Sequence, residues 1–127
     1  MNPLPLVQTL LIADRVARDR STGRHDLFGV FHAVNVPLPA LLTFAVYYDL
    51  TEVRGRFELH LEVLGPDDEP LGGGPVVVAL DDPLAIAQGV AAFDGVQLRR
   101  AGTYRVRISC GGEVLAERPI LVGETPR

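Results

Sequence analysis

The stretch Gly102–Val122, GTYRVRISCGGEVLAERPILV, decides the class of this chain. Tyr104, Val106, Ile108 and Cys110 alternate with Arg105, Arg107 and Ser109; a double glycine follows, then a second strand-like run. A period of two sends one set of side chains into a core and the other into water. Gly111-Gly112 supplies the positive φ of a tight turn, so the stretch reads as a β-hairpin. Two registers compete. A two-residue loop sets Leu115 opposite Ile108, but also Glu117 opposite Val106. A three-residue loop through Glu113 sets Val114, Ala116 and Ile120 opposite Cys110, Ile108 and Tyr104, with Arg118 opposite Val106. The longer loop turns more apolar residues inward and is the expected one.

Upstream, the same reading yields further strands. Leu6–Ala13 is the first, followed by the polar segment Asp14–Arg24, which Ser21-Thr22-Gly23 ends as a turn. His25–Val36 is the second, with Gly29 marking a bulge or a close backbone approach. Pro37 and Pro39 break pairing, and Leu42–Tyr48 follows as the third strand. Arg56–Leu64, RFELHLEVL, is the cleanest: Phe57, Leu59, Leu61 and Val63 point inward, Glu58, His60 and Glu62 to solvent. Gly65–Gly74 reads as an exposed loop, Pro75–Leu80 as a fifth strand, Asp81-Asp82-Pro83 as a turn. Ala85–Leu98 is a sixth strand, split at Asp94-Gly95. No long amphipathic helix separates the strands, which excludes a parallel α/β fold. The sum is one all-β domain, residues 1–127: an antiparallel β-sandwich of about eight strands, immunoglobulin-like or C2-like. Its expected core is Leu11, Phe31, Phe44, Phe57, Leu59, Leu61, Val63, Tyr104, Val106 and Ile108.

Composition agrees. At 127 residues, 47% apolar and 22% charged, the chain suits one globular domain, and without tryptophan its core must be aliphatic. Net charge is −4 and no basic run occurs, so neither nucleic acid nor an anionic membrane is an expected partner. The single cysteine, Cys110, cannot form an internal disulfide and falls in an inward set; a cytoplasmic setting is expected. The amino-terminal MNPLPLVQTLLIADR lacks the positive region of a signal peptide, and no stretch reaches the ~20 apolar residues of a membrane helix.

Catalytic chemistry finds little support. His25, His32 and His60 have no zinc-ligand spacing; His60 reads as exposed and His32, beside Phe28 and Val30, as half-buried. Only Ser21 and Ser109 offer a hydroxyl nucleophile of the serine type, and neither sits in a G-x-S-x-G elbow. Gly72-Gly73-Gly74 precedes a proline and a strand rather than a helix, and lacks the P-loop lysine. Asp67-Asp68 and Asp81-Asp82, with Asp49 and Asp94, are turn residues by the same logic, although loop aspartates at one end of a sandwich can gather Ca²⁺. The chain is therefore read as a non-enzyme, with no catalytic, cofactor-binding or metal residues assigned.

One anomaly remains. PVVVAL and AIAQGVAAF are apolar or small on both faces, where a sandwich strand should show a polar outer face. Either a local segment covers them, or they pack on a partner or a second copy of the chain through Pro75–Phe93. The leading expectation is a non-catalytic interaction or structural module acting by protein contact or self-assembly; the alternative is a ligand-binding sandwich using loop aspartates for Ca²⁺ or carbohydrate.

The stretches LLIADRVARDRSTGRHDLFGVFHAV, LTFAVYYDL, RFELHLEVLGPDDEPLG and the closing hairpin together resemble an uncharacterised bacterial family of small all-β proteins. The resemblance spans nearly the whole chain through Asp14, the turn Asp19–Arg24 and Gly29-Val30-Phe31. It implies the fold and a bacterial setting, and no functional residues.

Overall fold

The computed structural model describes residues 3–82 and 84–126; Pro83, read above as part of a turn, lies outside them. Nine strands run in the order β1 (Leu6–Arg18), β2 (His25–Val30), β3 (Ala33–Val36), β4 (Ala40–Thr51), β5 (Gly55–Leu64), β6 (Pro70–Leu80), β7 (Ala87–Leu98), β8 (Gly102–Cys110) and β9 (Glu113–Glu124). They form two sheets, β2-β1-β4-β7 and β3-β9-β8-β5-β6. One buried cluster joins both, with Leu10, Ile12, Phe44, Val46 and Leu50 from one sheet and Leu59, Leu61, Val63, Val106, Ile108 and Ile120 from the other.

The closing hairpin combines the two registers weighed for it, and the expected three-residue loop does not form. The turn is the two-residue one: Gly111 and Gly112 have φ of 58° and 85°, and Cys110 pairs with Glu113. Continued unbroken, that pairing would place Glu117 against Val106. A bulge at Leu115 intervenes, so Ile108 pairs with Ala116, Val106 with Arg118 and Tyr104 with Ile120. The inserted residue returns Ile120 and Val122 to the core and frees Glu117 to bind Arg107 at 2.7 Å. The expected Val114–Cys110 pair does not form; Val114 pairs with Ser109.

Other expectations change with long-range pairing. The second strand divides at Phe31-His32: β2 pairs with β1, while β3 runs parallel to β9 in the other sheet, so the molecule is not purely antiparallel. The Leu38–Pro39 peptide between β3 and β4 is cis. The polar residues after Ala13 extend β1 to Arg18, and the presumed loop Gly65–Gly74 supplies the start of β6 from Pro70. Leu11 lies outside the core, 37% exposed, because Leu10 and Ile12 take the inward positions. Phe31 and Phe57 pack against the core only partly buried.

Past Ala13 the β1–β2 arm leaves the pairing with β4. It brings the His25 ring within 5.1 Å of Tyr47, and Val16, Arg18 and His25 line a cleft with Gln88, Gly89 and Val90 of β7. The arm therefore lies over the outer face of β4 and β7, and Ala13, Ala45 and Tyr47, all outward in alternation, are buried.

Candidate functional site

A sheet ends in unpaired N–H and C=O groups, and natural edges are guarded by shortness, charge, proline or bulges. Among the described residues four strands are edges: β2 and β7 of one sheet, β3 and β6 of the other. β3 has four residues. β2 carries His25 and Asp26 and is interrupted by Gly29, whose φ is 68°. β6 has Pro70, Pro75 and the run Gly72-Gly73-Gly74. β7 alone offers seven residues, Ala87–Phe93, free of charge, proline and bulge. Its guard comes later, at Asp94-Gly95, where two residues oppose Thr43. There the Thr43 hydroxyl donates to Asp94 Oδ1 at 2.9 Å and accepts from the Gly95 N–H at 3.1 Å.

The two long edges face each other without hydrogen bonding. Between them is a cleft of about 360 Å³, walled by Leu71–Val76 and Ala91–Val96 with Leu61 at its base. Pro75-Val76 and Ala91–Phe93, both within the segment singled out in sequence, form opposite walls. Their outer residues do not make one patch. Val77 stands opposite Glu58 on the outside of one sheet, and Val90 opposite Tyr47 on the outside of the other. The cleft residues Leu61, Leu71 and Val96 carry no local signal of this role; only the pairing of distant strands brings them together.

Two contacts fix the conformation of β7. Tyr48 stands opposite Gly89, where a Cβ would lie 2.2 Å from the tyrosine hydroxyl, so the glycine makes room for the phenol where it sits. On the other face, Gln88 Nε2 donates to the Tyr47 hydroxyl at 3.0 Å, and that hydroxyl donates to Asp49 Oδ2 at 3.0 Å. Burial raises both phenols above their usual range, and Asp49 adds to the effect at Tyr47. His25 Nδ1 and Asp49 Oδ1 are buried without a hydrogen bond.

The loop aspartates are dispersed. Arg100 bridges Asp67 at 2.7 Å and Glu69 at 3.0 Å, and Asp68 pairs with Arg105. The Asp67 N–H and then Arg100 hold the Glu69 carboxyl below the usual range. Asp82 accepts from the Leu84 N–H at 2.9 Å. Among the described residues no three His, Cys, Asp or Glu side chains gather as a metal site. His60 is exposed, and so is His32, expected half-buried, because it sits in the break between β2 and β3. Cys110 is half-buried against the core.

Residues 8–123 match the model of a family of unknown function, DUF6941. The chain belongs to that family. No curated protein matches it in sequence. Its fold is similar to the crystal structure of an immunoglobulin-like protein from Pseudomonas aeruginosa, with a TM-score of 0.53 at 18% identity over 95% of this chain and 98% of that one.

Proposed function

We propose that this DUF6941 chain is a non-catalytic immunoglobulin-like β-sandwich that binds protein by accepting an extended strand at the β7 edge. The carrying observation is the seven-residue stretch Ala87–Phe93, the one long edge in the described residues with no guarding device.

Topology supports the sandwich. The order β1-β4-β7 follows strands A, B and E of an immunoglobulin domain, and β9-β8-β5 follows G, F and C with β6 as C′. The Tyr104 hydroxyl donates to the Arg100 carbonyl at 2.8 Å, the bond of a tyrosine corner at the start of strand F. In a constant-type domain a strand D lies beside E. The corresponding place beside β7 is unpaired, and the cleft walled by Leu71, Val76 and Phe93 would receive the inward side chains of a strand added there. A bacterial cytoplasmic setting accompanies this reading: the lone cysteine suits a reducing compartment, and the similar immunoglobulin-like protein is bacterial.

The test is an NMR titration of the isotope-labelled chain with a lysine-flanked peptide of sequence Ala87–Phe93. Strand addition predicts shift changes and slowed amide exchange confined to β7 and the facing part of β6. Changes centred elsewhere, or none at millimolar peptide, would overturn it.

A further inference from the structure

The edge reading leaves open which strand is added. Resting on it, we infer that the occupant is β7 of a second copy, paired antiparallel about a two-fold axis at Val90. Three features of β7 carry this.

First, the segment is self-complementary in charge. With Val90 on the axis, Gly89 meets Ala91, Gln88 meets Ala92 and Ala87 meets Phe93 of the partner copy, and no charged residue enters any pair. Each chain carries a net −4, so an uncharged meeting line is the one that avoids like-charge contact.

Second, the outward set fits itself. Val90 is 42% exposed although valine favours a covered strand surface. On the axis it packs against its own copy as a β-branched cross-strand pair. Gln88 and Ala92, both exposed, then lie opposite each other on the same face. The small Gly89 and Ala91 fall on the inward face, where they do not collide across the axis.

Third, the other edges do not repeat this. A β6 pair centred near Pro75 would lack a donor at its middle and side chains at Gly72-Gly73-Gly74. β3 spans four residues. A β7 pair of seven residues runs about 23 Å and joins two four-stranded sheets into one continuous sheet of β2-β1-β4-β7 and its symmetry mate. A two-fold pairing of this kind is closed, so it gives a dimer rather than a fibre.

The experiment uses the full chain. Light scattering from about 1 µM to about 1 mM is expected to give the mass of two chains, falling to one as the solution is diluted. Val90→Lys places two ammonium groups opposite each other at an exposed position and is expected to give a folded monomer that melts where the wild type does once diluted to monomer. Val90→Glu does the same alone. An equimolar mixture of the two variants is expected to regain the dimer mass, because the axis then carries opposite charges. Unfolding cannot produce that rescue. A wild-type dimer indifferent to Val90→Lys, or a wild-type chain monomeric throughout with no pairing of the Lys and Glu variants, overturns the self-pairing. In the latter case the peptide titration still decides the edge: a monomer that binds the peptide along β7 retains strand addition with a foreign partner, and one that binds no peptide loses both.

Discussion

The run Gly72-Gly73-Gly74 looks in sequence like three interchangeable loop residues, and the fold predicts that they are not. Gly73 has φ of 144°, and a Cβ there would lie 2.4 Å from the Leu61 carbonyl oxygen and 2.8 Å from Glu62 Cα. Both atoms belong to the backbone of β5, so no side-chain rotation relieves the contact. An alanine at Gly73 pays twice: about 1–3 kcal/mol for the backbone conformation and about 1–3 kcal/mol for forcing packed strands apart. For a domain of this size each kcal/mol lowers the melting temperature by about 3–5 °C. Gly73→Ala should therefore melt roughly 6–30 °C below the wild type. At Gly74 nothing lies within 4 Å of a Cβ and φ is not in the positive region, while at Gly72 the nearest atom is Phe93 Cδ1 at 3.7 Å, an ordinary contact. Gly74→Ala and Gly72→Ala should stay near the wild type or gain up to about 1 kcal/mol from a less flexible unfolded chain. Circular dichroism melts of the three variants decide the matter. A Gly73→Ala protein within about 2 °C of wild type, or three variants equally destabilised, would refute the close approach of β6 to β5.

Tyr104→Phe removes the bond to the Arg100 carbonyl while keeping a ring that is 2% exposed. Because Arg100 is exposed and water can replace the donor, the expected cost is about 1 kcal/mol, with urea midpoints as the readout; no change would mean the corner does not anchor the β7–β8 turn. Tyr47 and Tyr48 have phenols raised above 10.0 in the folded chain. The unfolded chain therefore loses these protons first, so their contribution is complete below pH 10 and declines as pH rises beyond it. Melting temperature should fall as pH rises above about 10, less steeply in Tyr48→Phe, and a variant with the same alkaline slope as wild type would contradict burial as the cause.

How far the sequence could be read follows from the range of the interactions. The core of β5 and β8 was legible because strict alternation at Leu59, Leu61, Val63 and at Tyr104, Val106, Ile108 is a local pattern, and the structure buries all six. The division of His25–Val36 was not, because β2 and β3 share one hydropathy pattern and part only through their different partners, β1 and β9. Leu11 was placed inward by apolarity alone, and its neighbours Leu10 and Ile12 hold the inward phase. The hairpin shows the remaining difficulty. Turn chemistry at Gly111-Gly112 and side-chain burial at Ile120 demand registers one residue apart, and the chain satisfies both with an extra residue at Leu115 that neither criterion predicts.

The two-sided apolar character of β7 has two separate physical sources, and they act on different atoms. Its outer side chains near Gln88–Val90 border the β1–β2 arm, whose Val16, Arg18 and His25 form the other wall of a shared cleft, so small and apolar residues there suit a partly sheltered surface. That coverage concerns side chains. It does nothing for the backbone groups along the free side of β7, which point in the plane of the sheet and have no strand beside them among the described residues. If apolarity were only an adaptation to the arm, charge could still have guarded the edge at Ala92, which is outward and exposed. It carries none, and the first charge after Ala87 is Asp94, in the bulge itself. An arm that covers a face while the adjoining edge stays bare is the arrangement expected when that edge is kept for another strand.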